Sequence, residues 1–449
     1  MINPNYNEGE ELTILMASLD AYGHVNSSLG LGQRLSKRGH QVYFANRSGW
    51  RKDCERHGLK FIPIEDFDHS MAQHSNNQLM FKYIENYQHN MSKPSIERYT
   101  NWSWADLRNN LAYFSEFKRM NNVLRKIVTE LKPDLVIGDF TFALPLFKKC
   151  VDNIPCIPLM SCNPLELYSP NGAPVASGYS LKDSSKLWEE YRKAERRALW
   201  WLRLYLMPWF WRNRVHPPPI SQFRCYAKHF GIYVYPECLD YTEIEKTQKN
   251  WVRINFSIRE SEGREFKIPE NLRDKPGNLI YLSMGTLGSA NVNLMVKLTT
   301  ILSTSPYRFI VSKGGHGKHY SLPENMWGED FVDQLAILPK VDLVITNGGA
   351  NTILESLHAG KPLIVMPLFY DQLDNAQRIE DRGLGKRIDP FHFEEEQIFA
   401  TIDEILNSES YAKQVREISG HLRAEDSRTE KVLEMIECLG YTGKSPLSQ

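Results

Sequence analysis

Short runs of apolar and β-branched residues recur through the first half of the chain, separated by polar turns and by stretches with helical spacing. Residues 13–17, 41–45, 61–64, 135–138 and 157–160 each read as a buried strand. Residues 26–37 carry apolar positions at helical spacing and stop at Gly39. Such alternation predicts a parallel sheet wrapped by helices. From about residue 279 the pattern begins again, with strands expected at 279–282, 309–311, 343–346 and 363–366. The fold class is therefore α/β, with two Rossmann-like doubly wound domains. Open parallel sheets bind ligands beyond the carboxyl ends of their strands, so two such domains facing each other would set both ligand edges on one cleft.

Between the halves, residues 257–276 are rich in Glu, Arg and Lys and contain Pro269, which makes them the expected linker. That division gives a first domain at 1–256, a second at 277–425 and a terminal segment at 426–449, with a helix over 429–439. Residues 163–235 interrupt the strand pattern with an aromatic, basic insertion containing Trp188, Trp200, Trp201, Trp209, Phe210 and Trp211. Three readings compete for it: helical core, a membrane-surface helix, or a hydrophobic wall for an apolar ligand.

At 449 residues the chain has room for two ordinary domains. Its formal net charge is zero and its sequence pI is about 7.2, which argues against a nucleic-acid partner. The polar, acidic start lacks the marks of a signal peptide, and no run of about twenty apolar residues precedes the C-terminus. The expectation is a cytoplasmic protein without a membrane anchor. Seven scattered cysteines show no CxxC pair, so free buried thiols are expected; the even spacing of Cys150, Cys156 and Cys162 reads as packing.

The richest stretch is residues 331–372. After the strand at 343–346 comes a turn, Asn347-Gly348-Gly349-Ala350, and then a helix with Asn351 and Thr352 at its entry and Gly360 and Pro362 at its stop. Exposed N–H groups and the helix dipole both favour an anion there, as a phosphate site requires. In the first domain, Gly23-His24-Val25-Asn26 follows the first strand as a loop, where His24 is either structural or a reactive group at the strand end. Asp139 ends its strand, either to cap a helix beginning near Thr141 or to orient a histidine, with Asp134 as the weaker choice for the second role. Asp66-Phe67-Asp68 spells a DxD, a motif of high chance rate.

Phe331 with Gln334, the block 346–355, the Gly360-Lys361-Pro362 turn, and Asp371-Gln372 with Asn375 together resemble the signature of the UDP-glycosyltransferases. These are inverting family-one enzymes of two facing Rossmann-like domains, the GT-B fold, closest here to soluble bacterial-type members also found in some arthropods. The resemblance implies His24 as general base oriented by Asp139. It implies Phe331 stacked on uracil, Gln334 at the base edge, Glu355 on the ribose, and Asp371 and Gln372 on the sugar. Ser283, Gly348, Gly349, Asn351 and Thr352 would lie along the diphosphate. Glutamine at 372 points to UDP-glucose, and the variable helices of the first domain would line a pocket for a lipophilic acceptor such as a flavonoid, macrolide or xenobiotic. No metal or other cofactor is required by such a design, and the last helix would cross back onto the first domain. Asn347 departs from the family's usual histidine and Asp333 from its usual proline. Two alternatives stay open: a UDP-sugar-binding protein with little turnover, and a nucleotide-sugar epimerase of the same fold.

Overall fold

A computed structural model describes residues 10–73, 90–100, 103–141, 154–212, 227–254, 265–424 and 427–448. Seven parallel strands form the first sheet: β1 (Thr13–Ala17), β2 (Gln41–Asn46), β3 (Lys60–Pro63), β4 (Leu135–Asp139), β5 (Cys156–Met160), β6 (Gly231–Val234) and β7 (Trp251–Ile254), in the order β3-β2-β1-β4-β5-β6-β7. Six more form the second: β8 (Leu279–Ser283), β9 (Arg308–Ser312), β10 (Met326–Glu329), β11 (Leu343–Thr346), β12 (Leu363–Val365) and β13 (Gly385–Arg387), in the order β10-β9-β8-β11-β12-β13. The strand order reverses between β1 and β4 in one sheet and between β8 and β11 in the other. Those reversals are the crevices where doubly wound sheets take ligands.

The longer helices are α1 (Tyr22–Lys37), α2 (Trp104–Leu131), α3 (Ser185–Arg212), α4 (Val292–Leu302), α5 (Ala350–His358), α6 (Asp371–Asp381), α7 (Glu395–Asn407), α8 (Glu409–Ala424) and α9 (Ser427–Thr442). The α/β class and both parallel sheets match expectation. Four strands do not follow from the pattern. β10 (MWGE) and β13 (GKR) are short edge strands whose polar residues need not be buried, and β6 and β7 have only four residues each. β6 also corrects the reading of 163–235 as one insertion, since its last part is a fully buried strand of the sheet. α1 starts four residues before the expected 26, so Gly23 to Asn26 is the first helical turn rather than a loop. Its N-cap, Ala21, is extended and offers no capping side chain, which is why no polar signal marks the true start.

Of the expected linker, residues 257–264 lie outside the described residues, and the rest includes a short helical turn, Glu270–Arg273. α9 returns to the first domain. Val432, Leu433, Ile436 and Leu439 join the core formed by Leu12, Ile14, Met16 and Leu35. At its rim Arg38 forks onto Glu437 at 2.6 and 2.8 Å and reaches Glu430 at 2.7 Å.

A separate apolar cluster spans both domains, packing Met160, Cys162 and Tyr235 of the first with Ile353, Val365 and Ile379 of the second. The strand ends of the two sheets therefore meet across a packed interface.

Candidate active site

The first sheet's switch point holds an imidazole and a carboxylate. α1 leaves the end of β1 and presents His24 in its first turn, while Asp139 is the last residue of β4, the neighbouring strand. His24 Nδ1 lies 2.6 Å from Asp139 Oδ2. An ionised carboxylate only accepts, so Nδ1 carries the proton, and in the neutral ring Nε2 keeps its lone pair. Asp139 Oδ1 takes the Thr141 N–H at 2.9 Å and the Thr141 hydroxyl at 2.7 Å. One Asp139 oxygen thus meets His24 and the other meets Thr141; the helix expected after Thr141 lies outside the described residues. Asp134 accepts from the Thr13 N–H at 2.8 Å, at the opposite end of the strands, which removes it as the orienting group.

Burial opposes the charged imidazole, but the ion pair and hydrogen bond to Asp139, with Asp371 adding its charge, leave the His24 pKa above its ordinary value. Asp139 is likewise penalised by burial and held low by His24 and Thr141. Nε2 has Cys162 Sγ 3.8 Å away, and the imidazole runs nearly parallel to the Phe140 ring, 6.3 Å between centroids. The His24 side chain keeps 17 % exposure.

The second sheet's switch point holds the glycine turn. β11 ends at Thr346 beside Ser283 of β8. Gly348 follows at φ +84°, where a Cβ would lie 2.6 Å from Val365 Cγ1, so glycine is required twice over. α5 begins from Gly349, which has no side chain to cap it, and its first N–H groups face the crevice unclaimed by any capping residue. Asn347 is buried, accepts from the Gly349 N–H at 3.3 Å, and lies against Gly285, whose φ is +64°. Tyr281 donates to Gln334 at 3.1 Å, and the Gln334 amide in turn donates to Glu355 and approaches Thr352 at 3.5 Å. Gln334, Thr352 and Glu355 thus form one polar cluster. Phe331 is 56 % exposed and its ring sits 5.8 Å from that of Tyr22 in the first domain.

Across the interface, Asp371 opens α6 next to Tyr370, a non-glycine residue at φ +52°. Its carboxylate accepts from the Asn163 N–H at 3.2 Å and the Asn375 amide at 3.4 Å. Burial pushes its pKa up to about 6. Gln372 spends Oε1 on the Leu368 and Phe369 N–H groups, at 3.0 and 3.4 Å, which aims its amide nitrogen elsewhere. Asn351 reaches Gly23 O at 2.9 Å with its amide nitrogen and takes the Ser27 hydroxyl at 3.0 Å. Its side chain is thus a bridge between α5 and α1 in this conformation.

A family model described as UDP-glucoronosyl and UDP-glucosyl transferase matches residues 275–425, the part that carries the glycine turn and Asp371. Over 379 residues the chain is 26 % identical to the NDP-glycosyltransferase YjiC of Bacillus subtilis (strain 168), covering 83 % of each protein. It is 31 % identical to the uncharacterized UDP-glucosyltransferase YojK of the same organism over 183 residues, 40 % of this chain and 45 % of the relative. Residues 275–425 form a domain of the UDP-glycosyltransferase family. The glycotransferase of kitacinnamycin has the same fold, with a TM-score of 0.66 at 18 % identity, over 96 % of this chain and 99 % of that one. The protein is accordingly a glycosyltransferase of GT-B architecture that draws on a nucleotide-sugar donor.

Within this glycosyltransferase the structure gathers His24, Asp139 and Asp371 at one crossing of the interface, and Ser283, Asn347, Gly348, Gly349 and Thr352 along the neighbouring strand ends. Three residues of the glycosyltransferase's interface escaped the sequence reading, Tyr22, Asn163 and Asp374, and Cys162, read there as packing, also approaches His24. Asn163 donates to Asn375 at 2.9 Å and Tyr235 at 3.0 Å, and accepts from Tyr241 at 3.1 Å. Its one sequence mark is its place in an Asn-Pro turn just beyond β5. Asp68 of the DxD accepts from the Ser70 N–H and hydroxyl, a local turn. The described cysteines are all free, with Cys54 and Cys162 buried; Cys150 lies outside the described residues.

Proposed function

We propose that this glycosyltransferase moves glucose from UDP-glucose to a hydroxyl of a lipophilic small molecule with inversion at the anomeric carbon. The observation that carries this reading is the 2.6 Å His24–Asp139 pair facing the interface with the His24 side chain partly exposed. His24 Nε2 takes the proton of the acceptor hydroxyl while that oxygen attacks the anomeric carbon. The bond from the anomeric carbon to the donor phosphate breaks, and UDP leaves from the opposite face. One base and one anion site suffice, because no covalent intermediate forms.

On this reading Phe331 stacks on uracil, and Glu355, released from Gln334, accepts the ribose hydroxyls. The N–H groups at the start of α5, with Ser283 and Thr352, receive the diphosphate. Asp371 and the Gln372 amide nitrogen hold the sugar hydroxyls. Metal plays no part, so EDTA should leave turnover intact.

The test pairs a set of UDP-sugars with phenolic and alcoholic acceptors and reads product mass and anomeric configuration. Expected are a preference for UDP-glucose, a β-linked product, and a loss of about 10²–10⁴ in kcat for His24→Ala with UDP binding retained. An α-linked product, or near-normal turnover in His24→Ala, overturns the mechanism.

A further inference from the structure

The amphipathic pattern of α3 carries a surface that its place in the core does not explain. Tyr191, Ala198, Leu206 and Phe210 are buried against the protein. On another face Trp200, Leu204 and Trp211 stand 49, 46 and 70 % exposed. At about 100° per residue these three fall within roughly 40° of one another around the helix, a single stripe aimed at solvent. Toward the start of the helix the same side continues with Lys193, Arg196 and Arg197, with one carboxylate, Glu189, among them, all exposed. Tyr205, about 100° round the helix from Leu204, is 55 % exposed, and Trp104, which opens α2, is 85 % exposed. Among the described residues eight large apolar side chains are exposed, and five of them belong to α2 or α3. This concentration is selective.

Charge identifies the occupant. The chain as a whole is neutral, yet α3 holds seven basic residues against three acidic ones. A second copy of the same face laid parallel would set one cationic stripe against another, which is not complementary. An anionic lipid surface answers both halves: indole rings partition into the headgroup boundary, and arginines meet the phosphates. None of the described helices is long and apolar enough to cross a membrane, so the geometry suits a helix lying in the interface plane.

We propose that α3 seats the enzyme on anionic membranes, with Trp200, Leu204 and Trp211 entering the headgroup layer and Lys193, Arg196 and Arg197 holding lipid phosphates. The proposal is independent of donor and acceptor identity. It is tested by floating the full chain with vesicles of phosphatidylcholine alone and of equal parts phosphatidylcholine and phosphatidylserine. Expected are binding to the anionic vesicles at least about tenfold stronger than to the neutral ones, weakening with salt, and a blue-shifted tryptophan emission. Leu204→Ser with Trp211→Ser should lower that binding by about tenfold or more, and Arg196→Glu with Arg197→Glu should erase the anionic preference. Both variants keep the buried side of α3, so their thermal unfolding and UDP binding should match the parent. Absence of flotation with either vesicle overturns the proposal, as does unchanged flotation of the serine variant. A dimer in sedimentation equilibrium that the serine variant dissolves would assign the face to a second copy instead.

Discussion

An imidazole that must accept a proton works only while it is neutral. Because Asp139 and Asp371 outweigh burial and raise the His24 pKa, kcat/KM should climb with pH through an inflection above the ordinary histidine value. Asp139→Asn removes the chief raising influence and leaves an amide free to hold the wrong tautomer. The inflection should then move to lower pH while the maximal rate falls by roughly a hundredfold or more. A pH profile of kcat/KM reads both, and an unmoved inflection would strip Asp139 of its orienting role. Asn347 belongs to the same scale. It sits in the glycine turn as a neutral donor, and Asn347→His would add a cation against Gly285. Calorimetry should find UDP bound about fivefold more tightly in that variant below neutral pH, with the gain fading as the imidazole loses its proton. Equal affinity at every pH would mean that other groups already compensate the diphosphate charge. The places of His24, Asp139 and the glycine turn at strand ends were legible, while the residues alone left the parts of His24 and Asp139 open and only the family resemblance singled out their pairing. Asn163 and Tyr22 were not legible, since their roles depend on partners some two to three hundred residues away.

Elements were legible where burial coincides with an apolar run set off by polar turns; β6, fully buried but only four residues long, did not stand out. β1, β4, β8 and β11 run through the middle of their sheets, and their apolar runs give them away within one residue at either end. β10 and β13 lie on edges, where one side needs no apolar cover, and so carry no comparable pattern. α1 was misplaced at its start because it begins without a capping side chain, leaving its first N–H groups open at the crevice. α9 shows what burial achieves at this scale. Leu433 is 1 % exposed within the first domain's core, whereas the Arg38 fork to Glu437 sits at the rim. Leu433→Ala should destabilise by about 2–5 kcal/mol through transfer loss and a residual cavity. Arg38→Ala should cost only about 0–1 kcal/mol, as solvent screens the pair. Denaturant unfolding of both variants checks the ranking, and a larger loss from Arg38→Ala would make the ion pairs, not the apolar face, the attachment of α9.

At the scale of the whole molecule the two domains are held by polar contacts around an apolar seam, and one of these is tuned to pH. Asp374 accepts the Ala176 N–H at 2.7 Å and the Gly178 N–H at 2.9 Å, tying α6 to the first domain. Burial, with the nearby Asp371 charge opposing it further, pushes the Asp374 carboxyl up to about 7; Asp371 itself is raised to about 6. A folded-state pKa above the unfolded one means that the native protein holds the proton longer. That contribution is fully present below the ordinary carboxylate range and is lost as pH rises through about 6 for Asp371 and about 7 for Asp374. For Asp374 the loss is on the order of a few kcal/mol. Asp374→Asn cannot ionise, so its stability should fall less steeply than the parent's between pH 4 and about 7, whatever its absolute value. The slope is the diagnostic, because the amide also forfeits one of the two backbone bonds and shifts the whole curve. Unfolding free energies of parent and variant across that range decide the matter. Parallel curves would show that Asp374 is ionised throughout and that the closed interface is indifferent to its proton.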